Sequence, residues 1–195
     1  MIKSFLLALT LVVASFSPSF ALTAYQAKDV AKREVNDVAK KSLVQIHGKR
    51  GAVGVYPLEW EILFYDPYAD QDGTKVKVAG NVITQITQGY TQMDKARIFA
   101  YKQDEILDPT RLKVDSNEIV KILSRSSALN NVKITSVDLS LSKMSKGPMG
   151  SAMWSVVMYA KDSKQEEVEF GKAQINAESG QILQLKIDLK KLIKK

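Results

Sequence analysis

The chain of 195 residues is long enough for one domain or two small ones, and 45% hydrophobic with 25% charged residues excludes wholesale disorder. It contains no cysteine, which removes thiolate nucleophiles, thiol redox chemistry, cysteine-rich zinc sites and lipid attachment through an N-terminal cysteine. Lys and Arg number 28 against 21 Asp and Glu, a formal charge of +7. Such a surplus either keeps the chain in solution or draws it to anionic surfaces. No nucleic-acid-binding motif accompanies it.

Residues 1–21 carry one charge, Lys3, then the apolar run Phe5–Phe16, then Ser19-Phe20-Ala21 with small residues three and one before a cut. That three-part pattern predicts a secretory signal peptide with mature protein from Leu22, and so a periplasmic or secreted location. An uncleaved anchor is the rival reading, although the apolar run is short for a bilayer span. Without residues 1–21 the chain holds 27 basic and 21 acidic residues, a surplus of six.

Tyr25–His47 sets Ala27, Ala31, Val35, Val38, Ala39 and Ile46 at three- and four-residue steps, which predicts one amphipathic helix of about six turns. Gly48–Gly54 is too rich in glycine to continue it. Leu58–Asp66 then alternates Leu58, Trp60, Ile62 and Phe64 with Glu59, Glu61, Leu63 and Tyr65, a strand with one side buried and Trp60 inward. Thr74–Ala79 returns as a strand, and Gly80-Asn81 turns into a further strand, Val82–Thr87. Between 88 and 114 two readings compete, a strand at Arg97–Lys102 and a helix at Met93–Glu105.

Asp115-Ser116-Asn117-Glu118 resembles a capping box at the start of a second helix, with Ile119, Ile122, Leu123 and Ser126 as its stripe and Asn130-Asn131 as its stop. Val132–Leu141 alternates as a long strand. After a loop at Lys143–Gly150 come a strand centred on Trp154, a second strand ending near Ala177, a Glu178-Ser179-Gly180 turn and a third strand. The end combines Leu185, Ile187 and Leu189 with Lys190, Lys191, Lys194 and Lys195. This is either a strand running into a solvated terminus or a membrane-surface anchor.

The phrase Trp60-Glu61-Ile62-Leu63-Phe64-Tyr65 is answered 94 residues later by Trp154-Ser155-Val156-Val157-Met158-Tyr159. The predicted class is therefore α+β in two tandem units, each an amphipathic helix on a small antiparallel sheet. The divisions are 1–21 as signal peptide, 22–110 as first unit, 111–190 as second unit and 191–195 as basic tail.

The helix followed by the Trp strand, Leu112–Ser116, Pro148 through Trp154, and Ile175-Asn176-Ala177-Glu178-Ser179-Gly180-Gln181-Ile182-Leu183 together make the chain resemble tandem PepSY-type domains. The match spans most of 25–187 and is specific in the second unit; Asn176 stands where an Asp is common. The resemblance implies a helix packed on an antiparallel sheet in each unit, and a noncatalytic role in binding or in regulating a peptidase. It names no substrate.

His47, the single histidine, has no partner at a recognisable catalytic spacing, and its place at the predicted helix end makes it a surface residue. Asp66, Asp70 and Asp72 before Gly73 fit turn chemistry better than a calcium loop. Lys49 and Arg50 within Gly48–Gly54 do not form a P-loop. No cofactor or metal is expected. Tyr65 and Tyr159, on the face opposite the tryptophans, are candidates for ligand stacking, and Lys190, Lys191, Lys194 and Lys195 for anion contact. A binding module with a protein or anionic envelope partner is the expected function. Its alternative is a hydrolase drawing on Glu59, Glu61 and Asp138.

Overall fold

The computed structural model describes residues 21–51, 53–89, 105–143 and 151–193. The N-terminal pattern, both readings of 93–105, nearly all of the 143–150 loop, and Lys194 and Lys195 lie outside them.

Helix α1, Ala24–Ala31, opens with a capping box. The Thr23 hydroxyl accepts from the Gln26 amide, and the Gln26 side chain accepts from the Thr23 amide. Its buried stripe is Ala24, Ala27, Val30 and Ala31. A 3₁₀ turn follows at Lys32–Glu34, and Val35 is extended at φ −113° and ψ 158°. Asn36 then caps the single turn α2, Asp37–Lys40, by accepting from the amides of Val38 and Ala39. The expected helix to His47 is thus corrected, and Leu43–Lys49 is strand β1. Helical spacing persists to Ile46, but the Asn36 side chain starts a new helix rather than extending the old one.

Strands β2 (Glu59–Tyr65), β3 (Gly73–Ala79) and β4 (Val82–Gln88) complete an antiparallel meander with β1. Helix α3, Ser116–Ser124, buries Ser116, Ile119, Val120 and Leu123. Asp115 caps it, and Glu118 pairs forward with Lys121 at 2.7 Å instead of reaching back, so the predicted capping box is not formed. Strands β5 (Ser136–Lys143), β6 (Ala152–Lys161), β7 (Glu167–Asn176) and β8 (Ile182–Ile187) form the second meander. The strand expected from Val132 begins four residues later.

The two meanders are one sheet of eight strands in the order β4-β3-β2-β1-β5-β6-β7-β8. The seam is antiparallel, with Ile46 opposite Leu141, His47 opposite Ser140 and Gly48 opposite Leu139. Two separate helix-on-sheet units, the expected class, are therefore contradicted. Two free-standing sheets would leave β1 and β5 as open edges with unpaired N–H and C=O groups, and their pairing satisfies both. The helices reinforce the seam: the Ala24 amide donates to Ser116 Oγ at 2.9 Å, and the Tyr25 amide to Asp115 Oδ1 at 3.2 Å.

One large buried cluster holds α1, α3 and the inward residues of the strands together. Trp60 and Trp154 are 1% and 0% exposed, at matching places in the two meanders. The Trp60 indole donates to the Leu22 carbonyl at 3.0 Å and the Trp154 indole to the Val114 carbonyl at 2.8 Å, so each ties down the segment leading into a helix. Burial pushes the Tyr25 phenol up, and the Asp115 carboxylate pushes it further.

The chain end also differs from expectation. After β8 a 3₁₀ turn, Leu189–Leu192, folds back, and the Leu192 carbonyl accepts from the Ser163 amide at 3.1 Å. Lys190 and Lys191 therefore sit exposed on a turn held to Ser163. Among the described residues no helix is long and apolar enough to cross a membrane.

Candidate functional site

Helices pack on one face of the sheet, and the alternate side chains of every strand project from the other. Register aligns eight of them in one line across the molecule: Gln85, Lys77, Glu61, His47, Ser140, Ser155, Gln174 and Gln184, one from each strand. Every member is polar. Their inward neighbours, among them Ile46, Ile62, Val76, Leu141, Trp154 and Ile175, belong to the core.

Around the centre of this row the groups bond to one another. The Glu61 carboxylate, 12% exposed, lies 3.5 Å from Lys77 Nζ and 3.7 Å from Lys49 Nζ. Gln45 Nε2 donates to Ser140 Oγ at 3.1 Å across the seam. His47 is in mid-strand, between Glu61 and Ser140 in register, and not at a helix end as the sequence suggested. Glu59 and Glu61 do share a face, but Glu59 stands opposite Lys49 and Ala79, and the Glu61 charge is matched by lysines.

Tyr159 and Asp138 meet beside the row. The Tyr159 hydroxyl donates to Asp138 Oδ2 at 2.8 Å, while the Arg50 amide donates to Asp138 Oδ1 at 2.6 Å. The Arg50 guanidinium lies 4.3 Å over the Tyr159 ring and 2.9 Å from Glu167 Oε2. Burial, then the Asp138 bond, pushes the Tyr159 phenol up to about 12. Hydroxyl donation from Thr135, aided by Ser136 and the Arg50 charge, holds the Glu167 carboxyl below the usual glutamate range. Arg50 is thus a strut of this cluster rather than a phosphate cradle, and its ring contact occupies the Tyr159 face offered for stacking.

The folded-state value of Glu167 is lowered, so its stabilisation is present above the ordinary glutamate range and is lost as pH falls through the lowered value. Glu167→Gln is expected to flatten the acid limb of a melting-temperature profile measured from pH 7 to pH 3, leaving a smaller difference between its ends than in the native chain.

Tyr65, half-buried, packs on Val44 and Leu63, a small second cluster on the open face. Asp66 is buried, accepting from Asn36 Nδ2 at 2.8 Å, Thr74 Oγ1 at 3.0 Å and the Tyr68 amide at 3.1 Å. It holds the α2 cap against β3, as turn chemistry requires. Among the described residues no group of three or more His, Asp or Glu is placed to hold a metal ion.

Ser140, Ser155, Gln174 and Gln184 were not singled out by sequence. Their signal is the polar member of each alternation, Ser136, Asp138, Ser140 and Ser142 on β5 being the clearest run. Comparison with protein-family models, with curated proteins and with solved structures returns no match to this chain.

Proposed function

We propose that this chain is an exported, noncatalytic binding module of PepSY-like character that presents the open face of its sheet to an anionic envelope component. The carrying observation is the polar row that spans all eight strands on the face away from the helices. A sheet held rigid by a core beneath it offers preformed side-chain donors and acceptors, so little ordering opposes binding. The basic surplus of the chain adds attraction for an anionic partner, screened over ~8 Å at physiological salt.

Capture of envelope material by the purified chain, followed across a salt series, tests this reading. Binding should weaken as salt rises and should be lost in Ser140→Trp and Ser155→Trp, which place bulk on the open face without entering the core. Lys190→Gln with Lys191→Gln should weaken it modestly; substitution is preferable to truncation, because Leu192 is docked on Ser163. Salt-independent capture unaffected by the Trp variants would refute the reading.

A hydrolytic alternative draws on Glu61 and Asp138, and on the register that sets His47 between Glu61 and Ser140. Turnover of a peptide or glycan that disappears in Glu61→Gln or Asp138→Asn would put that alternative in place of the binding module.

A further inference from the structure

The polar row changes character along its length. On the β4 to β5 side its groups are matched within the chain, Glu61 by two lysines, Gln85 by Thr87, and Ser140 by Gln45. On β6, β7 and β8 the side chains of Ser155, Gln174, Gln184 and Lys186 have no hydrogen-bond or ion-pair partner among the described residues. Lys172 and Lys186 stand directly opposite each other on β7 and β8. Like charges so placed destabilise a sheet. Glu169, 3.4 Å from Lys172, offsets one of them; among the described residues Lys186 has no such counter-charge. Ser155, Lys172, Gln174, Gln184 and Lys186, with Val157 among them, line one hollow of about 200 Å³ on the open face.

The chemistry of that lining selects its occupant. Glutamine amides and a serine hydroxyl both donate and accept, which suits hydroxyl groups, while two opposed ammonium groups suit a carboxylate. Successive strands place the Ser155, Gln174 and Gln184 side chains at intervals of ~4.8 Å, comparable with the advance of a sugar chain per ring. A neutral glycan leaves the lysine repulsion in place, whereas a carboxylated one meets both the amide and the ammonium groups. We propose that the hollow over β6–β8 binds a carboxylated polysaccharide, with sugar hydroxyls on Ser155, Gln174 and Gln184 and a carboxylate between Lys172 and Lys186. This deepens the open-face reading above and rests on it.

Affinity electrophoresis of the full chain in gels holding polygalacturonate, dextran or polyglutamate tests the proposal. Polygalacturonate should retard the chain most, polyglutamate less, and dextran little. Loss of charge-assisted bonds in Lys172→Gln with Lys186→Gln should weaken the retardation by about tenfold or more. Gln174→Ala with Gln184→Ala should weaken it while leaving any polyglutamate effect unchanged. Should either pair fail to fold, Gln184→Glu on the edge strand should give the same loss by repulsion. The proposal is overturned if polygalacturonate does not retard the chain, if polyglutamate matches it, or if the variants retain full retardation. Absence of polygalacturonate binding alongside envelope capture that still depends on Ser155 would remove the glycan assignment and leave the open-face reading; loss of both would remove both.

Discussion

Trp154→Ala is expected to cost ~3–5 kcal/mol, a large share of a typical stability of ~5–15 kcal/mol. Three losses add together. The indole is fully buried between Leu141 on β5 and Ile175 on β7, so truncation leaves a cavity that the strands cannot close. Its N–H donation to the Val114 carbonyl disappears, freeing the segment that leads into α3. Tyr25, whose ring centroid is 6.4 Å from that of Trp154 and whose hydroxyl donates to the same carbonyl, loses its packing partner. Because Tyr25 belongs to α1, damage in the second meander reaches the first. A single cooperative melt displaced downward by roughly 6–20 °C is the expected outcome. Two resolved transitions, with only the lower one moved, would show that the meanders fold independently.

Gly48→Val is expected to destabilise by ~1–3 kcal/mol through overpacking at the seam. Gly48 lies between Trp60 on β2 and Leu139 on β5. A Cβ there would stand 2.5 Å from Trp60 Cζ3 and 2.7 Å from Pro57 Cγ, both parts of rigid rings. Neither ring can yield as a flexible chain end would, so the backbone of β1 must shift and strain its pairing with β5. Chemical denaturation of Gly48→Val in the native and Trp60→Leu backgrounds checks this. The penalty should shrink in the second background, because a smaller side chain returns the space. An equal penalty in both would place the cause elsewhere.

The short-range features were legible in the sequence. Alternation disclosed β2, β3 and β6, the turn at Gly80 has φ +55° as a tight turn requires, and the large indole surfaces marked the core. What failed depends on contacts between distant parts of the chain. Leu43–Lys49 has a hydrophobic spacing that continues the helical pattern ahead of it, and only pairing with β2 on one side and β5 on the other makes it a strand. The element that joins the meanders therefore reads as helix in the sequence, which points to two units where one sheet exists. The open-face row was hidden for the same reason, since its members come from eight separate strands. Tyr159 and Asp138 each stand out singly in the sequence, but their bond, and the Arg50 side chain over the ring, arise from folding of residues far apart in the chain.

The continuity of the sheet through β1 and β5 is the claim on which the polar row, and with it the open-face reading, depends. Directly opposed residues in an antiparallel pair have Cα atoms ~4.5–5.5 Å apart, within the range a disulfide spans. The chain has no cysteine of its own, so His47→Cys with Ser140→Cys gives one unambiguous pair. Mild oxidation followed by non-reducing mass spectrometry should show rapid, near-complete closure within the monomer. Thiols that stay free, or that link only between molecules, would contradict the single eight-stranded sheet.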